Sequence, residues 1–255
     1  MSRRKIFAAF AAVLAFALPS LAIPVTGELN IGGSSAIVGL TSLNFVCNPS
    51  ITPSCPANYG NFLVTPVATG SFVPYGTDNG FIHNLTQGAQ PIGETFLLSN
   101  FLMFNPAGTV VPPDIALDLT FISPGVSGQA SCLAAPANGQ TCTPALAVLA
   151  TPSNPLGLSA FNLQNIPGGS TASFSVAGNA RRISTGELTQ FTGVFTSQFN
   201  VPYQAYLGVI ASGGQIENSY SATSTSVPNP VPEPSSLTML LGGLLLAGGY
   251  IRRKF

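Results

Sequence analysis

The sequence predicts an all-β protein, with its strands arranged as an antiparallel β-sandwich of the jelly-roll or immunoglobulin-like type. Apolar and polar residues alternate in short runs such as Ile115–Phe121 and Ser173–Val176, which is the period of a half-buried strand. Turn-forming pairs such as Asn79-Gly80 and Pro124-Gly125 separate these runs. No long helical period interrupts them, and many short strands with frequent turns favour a sandwich.

The first 22 residues have the three parts of a secretory signal peptide. Basic residues Arg3-Arg4-Lys5 precede an apolar run from Ile6 to Leu18, and Ser20-Leu21-Ala22 fits the small-x-small cleavage pattern. We therefore expect cleavage between Ala22 and Ile23. A retained membrane anchor is the alternative, although the run is shorter than the roughly 20 residues that a spanning helix needs.

Residues 23–226 are predicted to form one extracytoplasmic domain, in which a loop-rich portion from Gly27 to Thr86 precedes the more regular strands. Only 6% of the 255 residues are charged, and most of the basic ones lie at the two ends of the chain. This middle section has two basic and seven acidic residues, a net charge of −5. Binding to the phosphate backbone of nucleic acid needs clustered Lys and Arg residues, which this section lacks. The sequence therefore predicts no nucleic-acid partner.

The C-terminal end combines a spacer, an apolar segment and a basic tail. Residues 227–236 are rich in proline, residues 237–251 are predicted to form a transmembrane helix, and residues 252–255 form a basic cytoplasmic tail. The helix would be about 22 Å long, which is shorter than a hydrocarbon core of about 30 Å. By the positive-inside rule, the basic tail stays in the cytoplasm and the acidic middle section lies outside.

These C-terminal parts resemble the PEP-CTERM sorting signal in all three components and in order. The matching residues are Val231, Pro232, Glu233 and Pro234, the Gly/Leu-rich apolar segment, and Arg252, Arg253 and Lys254. Segments of this kind are also called an "ice-binding protein C-terminal domain". The resemblance covers about the last 27 residues and leaves the central domain unrecognised. It implies recognition by an exosortase-type processing enzyme, removal or exchange of the tail, and a host that makes exopolysaccharide. A simple single-pass anchor is the alternative.

Four cysteines form two close pairs, each within a segment rich in Pro, Asn and Gly. Outside the cytoplasm an even number of locally spaced cysteines indicates disulfides, which we expect between Cys47 and Cys55 and between Cys132 and Cys142. A zinc site is the rival interpretation. It lacks ligands, because the sequence has no Cys-x-x-Cys motif and His83 is the single histidine.

The other candidate residues have ordinary interpretations that we prefer, so no catalytic residue, metal or cofactor is predicted. His83 is a plain strand or loop histidine, because a catalytic base needs a nucleophile and an orienting acid. Asp114 and Asp118 are expected to be solvated surface carboxylates rather than calcium ligands, since no compact Asp-rich loop surrounds them. Arg181-Arg182 is expected to be a solvated pair in a turn, although it could contact an acidic polysaccharide. Ser221–Ser226 is interpreted as a linker-proximal strand or stalk.

The sequence thus predicts a non-enzymatic protein of the cell envelope, the outer surface or the extracellular matrix, whose precursor is anchored in the inner membrane. The expected partners are the export machinery, the exosortase-type enzyme and exopolysaccharide. A carbohydrate- or ice-binding module with a defined site is one alternative. A secreted hydrolase is another, which is weakened by the single histidine, the absence of Trp and the absence of a close carboxylate pair in a loop.

Overall fold

Twelve β-strands, one α-helix and two 3₁₀ helices make up the part of the chain that the computed structural model describes, residues 23–107 and 112–228. The strands are β1 Gly27–Val38, β2 Ser42–Phe45, β3 Tyr59–Val64, β4 Asn79–His83, β5 Leu85–Thr86, β6 Thr95–Phe104, β7 Ile115–Ile122, β8 Thr141–Cys142, β9 Asn162–Ile166, β10 Gly169–Arg182, β11 Leu188–Phe199 and β12 Ile216–Ser226. The α-helix, α1, is Tyr203–Ala211, and the 3₁₀ helices are Gly70–Tyr75 and Ala147–Leu149. Residues 24–228 form one unit.

Eight strands close into an antiparallel barrel in the order β1-β3-β4-β6-β7-β10-β11-β12. The prediction of an all-β antiparallel protein is confirmed, but the two separate sheets of a sandwich are replaced by one sheet that pairs with itself. The register of β1 with β12 shifts between Ile31 and Ser34, and the register of β10 with β7 shifts between Ala177 and Gly178, where Thr120 of β7 is the extra residue. Such irregularities increase strand coiling and so favour closure, which removes exposed sheet edges.

Alternate residues of the strands point into the barrel and form an aromatic core. Phe174 on β10 and Phe195 on β11 stack with their ring centroids 4.8 Å apart. Phe45 on β2 meets Tyr220 on β12 edge-on at 5.1 Å. These contacts join four strands, three of which lie in the barrel wall, so the period-2 pattern of the sequence becomes one continuous apolar interior.

The barrel is extended at one end, because some strands continue beyond the partners that close the ring. Residues 176–182 of β10 pair with β7, whereas residues 169–173 pair with β9. Similarly, β1 pairs with β3 at Ile31 and Gly32 but with β2 from Ala36 to Val38. At the opposite end Gly27 pairs with Ser226, so the described chain enters and leaves the barrel side by side.

Several predicted features lie outside the described residues. These are the signal peptide with its cleavage residue Ala22, the spacer from residue 229 onward, the sorting motif, the apolar segment and the basic tail. Ile23, on the other side of the expected cleavage point, is exposed. Within residues 23–107 and 112–228, no helix has the length and apolar character needed to cross a membrane.

Tyr220 gives the fold a predicted sensitivity to alkaline pH. Its ring is buried, its hydroxyl donates to the Asn61 carbonyl at 3.4 Å, and burial raises its pKa. The folded state keeps the phenol proton above about pH 10, where the unfolded chain releases it. We therefore expect the free energy of unfolding to fall by up to about 1.4 kcal/mol per pH unit above that point.

Urea unfolding of Tyr220→Phe at several pH values should lack this additional fall of the unfolding free energy with pH. Tyr206→Phe, at a half-exposed tyrosine, is the control. An unchanged slope in Tyr220→Phe would refute the assignment.

Candidate functional site

The four cysteines form the two disulfides that their spacing predicts. Cys47 and Cys55 lie 5.9 Å apart between their Cα atoms, in the connection from β2 to β3. Buried Asn61 supports this loop by accepting from the Asn48 N–H and donating to the Thr52 hydroxyl. The second bond joins Cys132, in the connection that follows β7, to Cys142, ten residues later in the sequence. The first bond therefore restrains an irregular loop, and the second ties a loop to Cys142 at the end of β8.

His83 ends β4 and makes structural contacts. Its ring lies edge-on to Tyr59 at 4.6 Å, and its Nδ1 lies 2.6 Å from the Asn84 carbonyl oxygen. A carbonyl only accepts hydrogen bonds, so this contact places the proton on Nδ1. The Asn84 side chain accepts from the Phe45 N–H, which fixes it against β2. These contacts agree with the interpretation of His83 as an ordinary strand residue.

Asp118 differs from its expected role as a solvated carboxylate, because it is 6% exposed and paired with Arg181. The Arg181 guanidinium donates from Nε and from a terminal nitrogen to the two Asp118 oxygens, at 2.7 and 3.1 Å. The Asp118 hydrogen bond is the main cause that raises the pKa of Arg181. Arg181 thus belongs to the pairing of β10 with β7, and the prediction of a solvated pair in a turn is wrong for it.

Asn100 completes this ion pair. It lies where the register between β6 and β7 shifts, and its φ of 56° is in the left-handed region. Asn tolerates that region better than most residues. Its N–H donates to Asp118 at 2.7 Å, and its side-chain oxygen accepts from Arg181 at 2.8 Å. The ion pair therefore holds an irregular point of the barrel wall.

Asp114 and Arg182 form a second, more exposed pair just before β7 and at the end of β10, with 3.0 Å between their closest atoms. The N–H and the hydroxyl of Ser184 also donate to Asp114. Burial opposes the charged form of Asp114, but the hydrogen bonds from Ser184 and Arg182 outweigh it and lower the pKa of Asp114. Arg181 and Arg182 therefore both form ion pairs with aspartates.

The outer side of β10, β11 and β12 carries a surface that we call the hydroxyl face. Its members are Ser173, Ser175, Thr192, Thr196, Ser219, Ser221, Thr223 and Thr225. They form rows across the sheet, because Ser173 pairs with Thr196 and Thr196 pairs with Ser221. Strand spacing places neighbours in a row about 4.8 Å apart.

The face is polar and uncharged over most of its width. Neighbouring side chains of the face are hydrogen-bonded to each other. The hydroxyls of Thr196 and Ser221 lie 2.9 Å apart, and the Thr223 hydroxyl donates to the side-chain oxygen of Asn30 at 2.6 Å. Ser221–Ser226 is thus a strand of the barrel wall, between β11 and β1, as one of its two interpretations predicted, and it is not a stalk. Hydroxyls donate and accept hydrogen bonds without charge, so the face suits a ligand that is itself rich in hydroxyls.

An apolar cavity of about 700 Å³ lies at the extended end of the barrel. Its floor includes the core rings of Phe45, Phe174 and Phe195. Its sides include α1, the β5 region and the disulfide loop at Cys132. The cavity is therefore at the opposite end from Gly27 and Ser226, where the described chain enters and leaves.

Comparison with known proteins finds one similarity, at the C-terminal end. A family model described as the PEP-CTERM protein-sorting motif matches residues 230–254, which confirms the resemblance seen in the sequence. The motif indicates a protein that exosortase sorts to the cell surface. No curated protein and no solved structure matches the chain. The matched residues lie outside the barrel, and the match does not confirm an ice-binding property.

Within the described residues, no three His, Cys, Asp or Glu side chains group as metal ligands.

Proposed function

We propose that this protein is a non-enzymatic component of the cell surface or its exopolysaccharide matrix, and that the hydroxyl face binds neutral polysaccharide. The observation that carries this proposal is the row arrangement of exposed Ser and Thr across three neighbouring strands. Sugars present hydroxyls at similar density, and a sheet holds its side chains in fixed positions, which reduces the entropy lost on binding. Exposed Val194 lies among these hydroxyls and offers contact to the apolar side of a sugar ring.

Delivery to that location follows from the two ends of the chain. The signal peptide would direct export, with cleavage between Ala22 and Ile23. Residues 237–251 would hold the precursor in the inner membrane until exosortase acts at Pro232-Glu233-Pro234. Because Gly27 and Ser226 are paired neighbours, a barrel attached through either end presents its extended end away from the attachment.

The arrangement of the carboxylates supports a non-enzymatic role. Glycosidases use two carboxyl groups that face the scissile bond, one of which must exchange a proton with the substrate. Asp114 and Asp118 are instead bound by Arg182 and Arg181. His83, the single histidine, has its Nδ1 against a backbone carbonyl. These residues stabilise the barrel, and we assign none of them to catalysis.

The proposal predicts that removing hydroxyls from the face weakens polysaccharide binding. The variant Thr192→Val/Thr223→Val/Thr225→Val keeps the side-chain shape and the strand propensity of each position. Three lost hydrogen bonds of about 1 kcal/mol each should weaken binding to matrix polysaccharide from the host by roughly a hundredfold. Sedimentation of the exported protein with that polysaccharide measures the effect.

The control carries the same kind of change on another exposed strand, Thr95→Val/Ser99→Ala on β6. Equal polysaccharide binding by both variants and the wild type would show that the hydroxyl face is not the binding surface. Saturable binding of a short oligosaccharide, or thermal hysteresis, would favour the alternative of a defined carbohydrate or ice site. Release of reducing sugar from the polysaccharide would overturn the non-enzymatic role.

A further inference from the structure

We propose that the apolar cavity binds a neutral lipid with a single acyl or alkyl chain. The cavity lies at the extended end of the barrel, between the aromatic core and α1, and Thr196 is the one described residue of the hydroxyl face that also lines it. This proposal is independent of polysaccharide binding. It depends on the size of the cavity, on the chemistry of its walls and on the position of α1.

Most of the wall surface is apolar. Ile122 and Phe174 contribute from the barrel strands and Leu43 from β2, while Leu207 and Ile210 contribute from α1. Mouths of barrels are common ligand sites, and pockets of about 300–1,000 Å³ suit small molecules. Burial of a hydrocarbon chain against such walls contributes about 0.8 kcal/mol for each methylene group. The driving force for occupancy is therefore the hydrophobic effect.

The volume limits the ligand to one chain. A cavity of about 700 Å³ accommodates roughly 20 atoms of the size of a water molecule or a methylene group. That is a single long acyl chain with a small head group, and it is too small for a two-chain phospholipid.

The charge of the walls limits the head group. Among the described residues that line the cavity there is no Asp, Glu, Lys, Arg or His. An ionised carboxylate or phosphate would lose hydration there without gaining an opposite charge. The polar lining residues are amides and hydroxyls, including Gln129 in an exposed loop and Asn218 on β12. They match an alcohol, ester or amide head group.

The placement of α1 leaves apolar side chains available to such a ligand. Tyr203 holds the start of α1, because its N–H donates to Asn165 and its hydroxyl donates to the Ser131 carbonyl. Leu207 and Ile210 further along the helix line the cavity and are only half-buried. At the edge, Leu40 and Leu133 are 42% and 96% exposed. A bound chain would cover apolar surface that the protein itself leaves open to solvent.

The test uses the exported protein purified from its host. Organic extraction followed by mass spectrometry identifies any bound lipid. The extracted protein is then titrated with the uncharged fluorescent probe N-phenyl-1-naphthylamine, which is displaced with 1-palmitoylglycerol or with palmitate. We expect the probe to bind and the monoglyceride to displace it more effectively than the charged fatty acid.

Two variants on α1 test whether probe binding depends on the side chains that line the cavity. Leu207→Gln/Ile210→Gln places polar groups in the wall and should weaken probe binding roughly tenfold to a hundredfold. Val209→Gln, at an exposed position of the same helix that does not line the cavity, should bind like the wild type. Absence of probe binding by the wild type, or equal loss in both variants, would overturn the proposal. Stronger displacement by palmitate than by the monoglyceride would overturn the neutral head group.

Discussion

Changing Pro232, Glu233 and Pro234 to alanine is expected to leave the protein unprocessed and to remove essentially all of it from the cell surface. The sorting motif matched at residues 230–254 is a composite signal, and these three residues are the part that the resemblance assigns to recognition by exosortase. Intact-mass and terminal-peptide mass spectrometry of surface, medium and membrane fractions measures the result. The wild type should begin at Ile23, end near Pro232–Pro234 and lack peptides from residues 237–255.

Pro228→Ala is the matched control, since this proline lies in the same spacer but outside the matched range. It should be processed and delivered as the wild type is. If the wild type itself retained residues 237–255 in a membrane fraction, the chain would be a single-pass anchored protein instead. Normal processing of the triple alanine variant would show that recognition depends on other residues.

The second large effect is expected from Asp118→Ala, which should lower the free energy of unfolding by about 3 kcal/mol. The substitution leaves the Arg181 charge and the Asn100 N–H without their shared acceptor at an irregular point of the barrel wall. For a domain of this size that corresponds to a fall in Tm of roughly 10 °C. Thermal and urea unfolding of the barrel domain measures it.

Asp114→Ala provides the comparison, because its ion pair is more exposed and should contribute only about 1 kcal/mol. The double variant Asp118→Ala/Arg181→Ala should recover part of the stability, since it removes the uncompensated charge as well. Equal losses for Asp114→Ala and Asp118→Ala would show that burial does not set the strength of the inner pair. No recovery in the double variant would point to the lost hydrogen bond of Asn100.

Local patterns in the sequence determined the strands, both disulfides and the sorting segment. Alternation around Phe195 reflects a physical period of two residues, which any half-buried strand must show, whereas β7 is buried at every position from Ile115 to Leu119. The cysteine pairs are eight and ten residues apart, so their loops are short enough to be recognised directly. The sorting segment is likewise contiguous, and its three parts are recognisable in order.

Tertiary structure alone decided how these strands and charges are combined. Closure of the barrel depends on the pairing of β1 with β12, whose residues Gly27 and Ser226 are at opposite ends of the domain sequence. Asp118 is on the polar side of its strand, yet it is buried because Arg181, 63 residues away, pairs with it across β7 and β10. The hydroxyl face and the apolar cavity arise in the same way. A sequence period sets which side of a strand is apolar, but the partners that cover each side come from distant segments, and only the folded chain brings them together.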